Sequence, residues 1–314
     1  MSTVLPSFGS REILASFQLS GLRFDSRIGF LLETPCRCID LRKYLMRLDD
    51  KIVLITSAQN PCARAIVLGF AREGAHCAVV DDDAGRAQEL AGEVRSIGRR
   101  ALALQTDVTK KSDVGEAVRK TVAEFGRIDV LLNCSGITHD SDFWSLTEEA
   151  FNRCIACGPK AYFLVAQAVG KQMADQRSGK IINLSTTDAR LGSGESTASS
   201  VAYSSIDSMT RAMAQALGFY GVNVNSLVCG PIDSSSITGE EAGERLRRIP
   251  LGRLGKPEDL VGVAIFLATD DSNFVAGESL YVDAGYSNAA VTEDGFRPTW
   301  GRTWGRFEVP PRNK

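Results

Sequence analysis

From Lys51 onward the chain alternates short apolar runs with longer segments of helical periodicity, and few folds accommodate such a pattern. The apolar runs are rich in Val, Ile and Leu at consecutive positions, which is typical of strands buried between two layers of helices. They read KIVLIT, HCAVVD, ALALQT, IDVLLN, KIINLS, VNVNSLV and SLYVD. Strands that alternate with helices predict a parallel sheet covered on both sides, in a Rossmann-like, doubly wound α/β domain.

Between these runs, apolar residues recur at intervals of three and four, as they do on one face of a helix. Gly74 follows the first such segment, at a position typical of a helix end. The predicted helices cover residues 62–73, 85–97, 113–125, 148–174, 200–217 and 257–270. A helix is therefore expected between each strand and the next.

The regular pattern predicts a single domain over residues 49–288, with an N-terminal extension, residues 1–48, and a short C-terminal tail, residues 289–314. The extension shows no clear repeat, and Arg23 and Arg27 give it a weak resemblance to a mitochondrial presequence. We interpret it as a targeting segment or as one that binds the domain or a partner, so the cytoplasm and the mitochondrial matrix remain alternative compartments. The tail is basic and aromatic, and its repeated TWGR favours a segment that lies on the surface of the domain or docks on a partner.

The composition of the chain excludes several classes of function. Its 314 residues are 44% hydrophobic and 24% charged, which is enough to bury a sizeable core. A net charge of −2 and a pI near 5.9 give no general attraction to nucleic acid. No apolar run reaches the length of a transmembrane helix. We therefore expect a soluble globular protein without a nucleic-acid partner.

Eight cysteines are scattered through helical and strand-like segments, which favours reduced thiols over a disulfide framework. A four-thiolate metal site can be drawn from Cys36, Cys38, Cys154 and Cys157, but neither pair has a supporting histidine or glycine knuckle. We interpret the cysteines as small buried apolar residues and expect no metal.

Several short phrases within the domain follow one another in an order that matches a known family. They are DV at residues 107–108, IDVLLNCSG, IINLS, GVNVNSL, IPLGRLGKPEDL and VDAG. Over residues 49–288 the chain therefore resembles the short-chain dehydrogenase/reductase family. The resemblance implies a Rossmann-like fold and hydride transfer between NAD(P) and a carbonyl or an alcohol.

The phosphate-binding loop departs from the pattern of that family, T-G-x-x-x-G-x-G. The corresponding residues begin with Thr56, and the three glycines are replaced by Ser57, Pro61 and Ala63. Such glycines permit a tight turn and a close approach of backbone to pyrophosphate, and proline also lacks the backbone N–H. Proline still suits the first turn of a helix. We therefore expect the loop to keep its shape and to bind NAD(H) and NADP(H) weakly or not at all.

The adenosine side of the implied cofactor site is better preserved. Asp81 ends the second strand, where the family places an acid that binds a ribose hydroxyl and repels a 2′-phosphate. Asp107 and Asn133 also match family positions, and Ser234 stands where the family has a threonine near the nicotinamide. The acidic run around Asp81 is equally typical of a solvated turn. No cofactor is expected, and NAD is favoured if one binds.

The catalytic positions also depart from the family. An alignment without gaps puts Thr186 at the serine, Ser199 at the tyrosine and Tyr203 at the lysine, and Gly158 at the asparagine. Without the ammonium, the phenol of Tyr203 keeps an ordinary pKa of about 10. The alternative alignment makes Tyr203 the catalytic tyrosine, but it requires an insertion and leaves Asp207 at the lysine position.

These losses predict a catalytically degenerate protein of this fold, acting as a non-catalytic scaffold or accessory subunit of an assembly. One alternative is an NAD-dependent oxidoreductase with unusual residues. Another is a derived enzyme with rebuilt non-redox chemistry, for which the candidate acid and base groups are His139, Asp140, Asp142, Lys160, Asp188 and Tyr203. In each case the small and apolar stretches of helices 147–174 and 200–217 favour a homo-oligomer or a protein partner.

Overall fold

The computed structural model describes two compact units, Met1–Leu45 and Met46–Lys314. The described residues are 22–25, 29–32, 46–134, 141–192, 196–233, 246, 248–288, 291–292 and 295–296. In the first unit, strand β1 (Leu22–Asp25) pairs antiparallel with strand β2 (Gly29–Leu32).

Six of the residues singled out in the sequence lie outside the described ranges. They are Arg27, Cys36, Cys38, His139, Asp140 and Ser234.

The second unit is built on a parallel sheet of seven strands, in the order β5-β4-β3-β6-β7-β8-β9. Its strands are β3 (Ile52–Thr56), β4 (His76–Asp81), β5 (Ala101–Gln105), β6 (Val130–Asn133), β7 (Gly179–Thr186), β8 (Val222–Cys229) and β9 (Ser279–Val282). Beyond the sheet, β10 (Val291–Thr292) pairs antiparallel with β11 (Gly295–Phe296). The predicted Rossmann-like, doubly wound α/β domain is confirmed.

Helices connect the strands of this sheet. They are α1 (Pro61–Arg72), α2 (Ala84–Ser96), α3 (Lys111–Phe125), α4 (Glu148–Ile155), α5 (Ala161–Gln176), α6 (Asp188–Leu191), α7 (Thr197–Gly218) and α8 (Val261–Ala268). Short 3₁₀ helices cover Pro257–Leu260, Asp270–Ser272 and Tyr286–Asn288. Within the described ranges, none of the helices has the length and apolar character that a membrane span requires.

The sheet is buried on both faces because successive strand residues point to opposite sides. Ile55 packs on one face with Phe70 of α1, in a cluster that α2 and α8 also join. Leu54 packs on the other face with Val165 of α5, in a cluster shared with α3 and α7. Burial of both alternating sets explains why the strand sequences are continuously apolar.

The chain leaves strand β3 on one side toward β4 and β5, and later returns on the other side as β6. In an open parallel sheet this reversal creates a crevice at the carboxyl ends of the strands, which is where ligands bind in such folds. Thr56 ends β3 and Asn133 ends β6, so both lie at this point. The crevice between them is the candidate site.

Candidate active site

Two residues shared with the family pattern tie the centre of the sheet together. The Thr56 hydroxyl donates to the Cys134 carbonyl at 2.6 Å and accepts from the Cys134 amide at 2.8 Å. The Asn133 amide nitrogen donates to the Tyr162 carbonyl of α5 at 3.0 Å. Both residues are buried, so their polar groups require these partners. The side chains of Thr56 and Asn133 thus hold β3, β6 and α5 at the base of the crevice.

The loop between β3 and α1 keeps the strand-to-helix geometry that the sequence predicts. Ser57 adopts a left-handed backbone conformation with φ of 65°, a region that glycine occupies without a steric penalty. Pro61 is the first residue of α1. The Asn60 carboxamide oxygen caps this helix, accepting from the amides of Cys62 at 2.9 Å and Ala63 at 3.2 Å. The protein therefore supplies its own acceptor at the end of the helix where an anion would bind.

Asp81 is bound to the same loop. One carboxylate oxygen accepts from the Ala58 amide at 2.8 Å, and the other accepts from the Asp83 amide and from Arg86 Nε, both at 2.9 Å. Burial raises the pKa of Asp81, but the hydrogen bonds from Asp83 and Arg86 outweigh it and hold the pKa below its ordinary value. A second bond, to Asp82, fixes the Arg86 guanidinium. Asp81 thus supports the loop as an ionised carboxylate.

Asp107 lies just after β5, at the carboxyl edge of the sheet. Its carboxylate accepts from the Thr109 hydroxyl at 2.6 Å and the Thr109 amide at 3.0 Å, and Lys110 Nζ lies 3.1 Å away. The Thr109 hydroxyl and the Lys110 ammonium lower the pKa of Asp107. Asp107 therefore carries a fixed negative charge beside the crevice, as Asp81 does.

The structure brings two of the four catalytic positions together. The side chains of Thr186, at the end of β7, and Tyr203, on α7, line one cavity of about 20 Å³. Tyr203 is 8% exposed, and burial raises the pKa of its phenol well above 10. This overturns the expectation of an ordinary phenol, because burial disfavours the charged form. Tyr203 is consequently neutral at physiological pH.

The other two positions contribute no polar side chain to that cavity. The Ser199 hydroxyl, one turn before Tyr203, donates to the Ser196 carbonyl at 3.3 Å. Gly158 lies in a π-helical segment, Ala156–Lys160, with non-helical dihedrals (φ −91°, ψ −111°). Pro159 lacks a backbone N–H, so it interrupts the hydrogen-bond ladder here. The helix predicted over 148–174 is thereby divided into α4 and α5.

Three functional features escape sequence reasoning. Asn60 has a detectable signal, since Asn followed by Pro is typical of a helix cap and first turn. The ion pair between Asp81 and Arg86 has a weaker signal, namely two opposite charges five positions apart in the sequence. The convergence of Cys62 and Cys134 on this crevice has no local signal, because distant segments supply the residues. In the described part of the chain, no cluster of three or more His, Cys, Asp or Glu side chains could hold a metal ion.

Fold and crevice together define a Rossmann-like α/β protein with a polar site at the carboxyl ends of its central strands. The enoyl-(acyl carrier protein) reductase family model matches residues 58–287. The 3-oxoacyl-[acyl-carrier-protein] reductase FabG of Thermotoga maritima is 35% identical over 243 residues, covering 76% of this chain and 99% of that protein. The chain belongs to the short-chain dehydrogenase/reductase family.

Two further similar proteins are named for substrates of another kind, sugar acids. The 5-keto-D-gluconate 5-reductase of Escherichia coli is 31% identical over 246 residues, covering 77% of this chain and 97% of that protein. The gluconate 5-dehydrogenase of Burkholderia cenocepacia, solved in complex with NADP and tartrate, superposes with a TM-score of 0.75 at 28% identity. That match covers 78% of this chain and 98% of the other.

The prediction of a non-catalytic scaffold or accessory subunit is wrong. Relatives that match this chain over nearly their whole length are named oxidoreductases. The error came from equating lost motif residues with a lost site. The structure instead places Thr186 and Tyr203 at one cavity, and the first-turn amides of α1 donate to the side chain of Asn60.

Proposed function

We propose that this protein is an NAD(P)-dependent oxidoreductase that reduces a ketone carried on a larger molecule. One observation carries the proposal: the hydroxyl-bearing side chains of Thr186 and Tyr203 line the same cavity at the carboxyl edge of the sheet. The names of the relatives support a ketone, since they include a 3-oxoacyl reductase and a ketogluconate reductase.

The first turn of α1 fits the pyrophosphate of a dinucleotide once the Asn60 side chain moves aside. The amides of Cys62 and Ala63 donate to the neutral side-chain oxygen of Asn60, at 2.9 and 3.2 Å. A phosphate oxygen is a stronger acceptor for these amides, because it is charged and lies at the positive end of the helix. Ser57 and Ala63 keep the backbone farther away than glycines would. Binding is therefore weak, with the amides of α1 as its main donors.

The adenosine end of the site favours NAD over NADP. Asp81 and Asp107 both have lowered pKa values, so both are negative at neutral pH. A carboxylate at the ribose accepts hydrogen bonds from hydroxyls and repels a 2′-phosphate. Arg86 offsets part of this repulsion, but its guanidinium is already shared between Asp81 and Asp82.

In the reductive direction a bound nicotinamide would supply the hydride, and the residues of the cavity would have to deliver a proton to the substrate oxygen. Tyr203 is the donor, since a neutral phenol holds the proton that the developing alkoxide needs. Thr186 offers a second hydroxyl to orient the same oxygen. Reduction starts from the acid form of the phenol, which burial maintains, and leaves a phenolate that must regain a proton from solvent in each cycle. Alcohol oxidation would have to start from that phenolate, which burial of Tyr203 disfavours.

The size of the cavity limits what it can accept. Its volume of about 20 Å³ is on the scale of one water molecule. A carbonyl group can enter the cavity, while the rest of the substrate must remain outside it. The chemistry is thus specific for the functional group, and the surrounding surface selects the substrate.

The assay for this function follows oxidation of NADH and NADPH by the full-length protein in the presence of ketones. The panel contains 3-oxoacyl thioesters and keto-sugar acids, with the corresponding alcohols as controls. We expect nucleotide consumption that depends on the ketone and is faster with NADH. Binding of neither nucleotide by calorimetry, together with no turnover of any ketone, would refute the proposal.

We also propose that the protein self-associates through α5 and α7. Phe163 on α5 is 45% exposed and Val201 on α7 is 40% exposed, so both helices present apolar surface. Phe163→Glu should convert the oligomer to monomers, because it places a charge in an apolar interface. Light scattering measures this change, with Phe274→Glu, at a fully exposed turn, as control. A wild-type protein that is monomeric at all concentrations would contradict the proposal.

A further inference from the structure

The segment that precedes α4 carries an exposed aromatic pair. Phe143 and Trp144 lie between β6 and α4, and their exposed fractions are 60% and 90%. Their rings meet edge to face, with centroids 5.3 Å apart. Adjacent aromatic side chains this exposed form an apolar patch, and such patches mark binding surfaces.

The backbone around the pair is held by a hydrogen-bonded turn. One carboxylate oxygen of Asp142 accepts from the amides of Trp144 at 2.9 Å and Ser145 at 3.1 Å. The Leu146 amide donates to the Asp142 carbonyl at 3.1 Å. The rings are therefore presented to solvent by a fixed segment, which lowers the entropic cost of binding a ligand there.

The same segment is joined to α7 beside the cavity. Ser141 forms a parallel β-bridge with Ser196, the residue before the first turn of α7. Leu146 packs on the cluster of buried side chains that contains Tyr203, and Tyr203 lines the cavity of about 20 Å³. The aromatic pair lies between these two anchors in the sequence, so it borders α7 next to the candidate site.

The charges around the pair are negative. Residues 141–152 contain three carboxylates, on Asp142, Glu148 and Glu149, and no lysine or arginine. All three residues are exposed, and the Ser145 hydroxyl lowers the pKa of Asp142, which keeps it ionised at neutral pH. Because like charges repel, this surface disfavours an anionic ligand such as a sugar acid and suits an uncharged apolar chain.

We propose that Phe143 and Trp144 bind the apolar chain of a ketone substrate whose carbonyl enters the cavity. The inference rests on the proposed oxidoreductase function and narrows its substrate class to ketones on uncharged acyl chains. The cavity has room for the carbonyl alone, so the rest of the substrate must cover the adjoining surface. Methylene groups that cover the two rings remove apolar area from water, whereas the hydroxyls of a sugar acid would not.

The kinetic test compares the N-acetylcysteamine thioesters of 3-oxobutanoate and 3-oxodecanoate, both uncharged, as substrates of the full-length protein with NADH. We expect kcat/KM to be at least about tenfold higher for the longer chain, because each covered methylene adds to binding. Trp144→Ala should lower kcat/KM about tenfold for the longer ketone and less than about twofold for the shorter one.

The matched control is Phe219→Ala. Phe219 is 86% exposed and forms a similar edge-to-face pair with Tyr220, at the opposite end of α7. Its replacement should leave kcat/KM for both ketones unchanged. Trp144 is nearly fully exposed, so Trp144→Ala should also keep the urea midpoint of the wild-type protein.

A second readout does not depend on turnover. In a protein with Trp300→Phe and Trp304→Phe, Trp144 is the single tryptophan. Decanoyl N-acetylcysteamine, which lacks the ketone, should shift the emission of Trp144 to shorter wavelength as the chain covers the ring, and the acetyl thioester should not. A shift in a protein that turns over no ketone would support the acyl site and count against the oxidoreductase function alone.

Three results would overturn the proposal. One is equal kcat/KM for the two ketones in a protein that reduces both, and another is an emission of Trp144 that the decanoyl thioester leaves unchanged. The third is a fall in mass of Trp144→Ala by light scattering, which would show that a second copy of this chain covers the pair.

Discussion

Tyr203→Phe should lower kcat for ketone reduction by about 100-fold or more, the usual contribution of a positioned general acid. The substitution removes the phenol hydroxyl from the cavity and keeps the ring that packs beside Ile206 and Tyr162. Because the hydroxyl acts on the developing alkoxide, KM should change much less than kcat. Steady-state kinetics with the best ketone and NADH measures both.

The matched control for this prediction is Ser199→Ala on the same helix. Its hydroxyl is bonded to the Ser196 carbonyl, and it should leave kcat within about twofold of wild type. Burial raises the pKa of Tyr203, so the donor stays protonated and the reductive rate should not fall as pH rises to about 9. Loss of activity in Ser199→Ala but not in Tyr203→Phe would show that the hydroxyl of Ser199, at the tyrosine position of the ungapped alignment, is the donor.

Replacing Ser57, Pro61 and Ala63 together by glycine should tighten NADH binding at least about tenfold. The left-handed backbone of Ser57, with φ of 65°, already suits glycine. Pro61→Gly restores an N–H, and a hydrogen bond to a charged group contributes about 1.5–3 kcal/mol. Since about 1.4 kcal/mol is a tenfold change in affinity, one recovered bond is sufficient. Calorimetric titration of NADH into both proteins measures the change.

The glycine variant should also be less stable. Ala63 is completely buried, and removing its methyl group costs about 1 kcal/mol in the free energy of unfolding. Urea denaturation gives this value, and binding is measured well below the unfolding midpoint. Ser112→Gly, in the first turn of α3, is the control for added flexibility at a helix start and should not alter affinity. Unchanged NADH affinity in a folded glycine variant would mean that the lost glycines do not limit binding.

Much of the fold could be predicted from the sequence because the central strands are buried on both faces. HCAVVD is β4 from its first residue to its last, and Glu148 begins α4 as expected. The break between α4 and α5 was not predicted, since apolar periodicity continues through Gly158 and Pro159. At this point Pro159 has no backbone N–H to donate, so the helix is interrupted although the apolar pattern of its side chains continues.

The candidate site was only partly predictable. Comparison with the family motif assigns Thr186 and Tyr203 to catalytic positions, but it does not reveal that both residues line one cavity. It also does not show that burial keeps the Tyr203 phenol neutral, because a pKa depends on tertiary surroundings. The functional error arose here: lost residues are visible in a sequence, whereas the groups that remain around a cavity become visible only after folding.

The cap that Asn60 places on α1 has a thermodynamic consequence. A nucleotide entering this loop must exchange with an internal ligand whose two hydrogen bonds are already made. A nucleotide that binds weakly for this reason would raise the melting temperature little until its concentration is many times its dissociation constant. The Asn60 side chain keeps the first-turn amides of α1 hydrogen-bonded in the nucleotide-free chain.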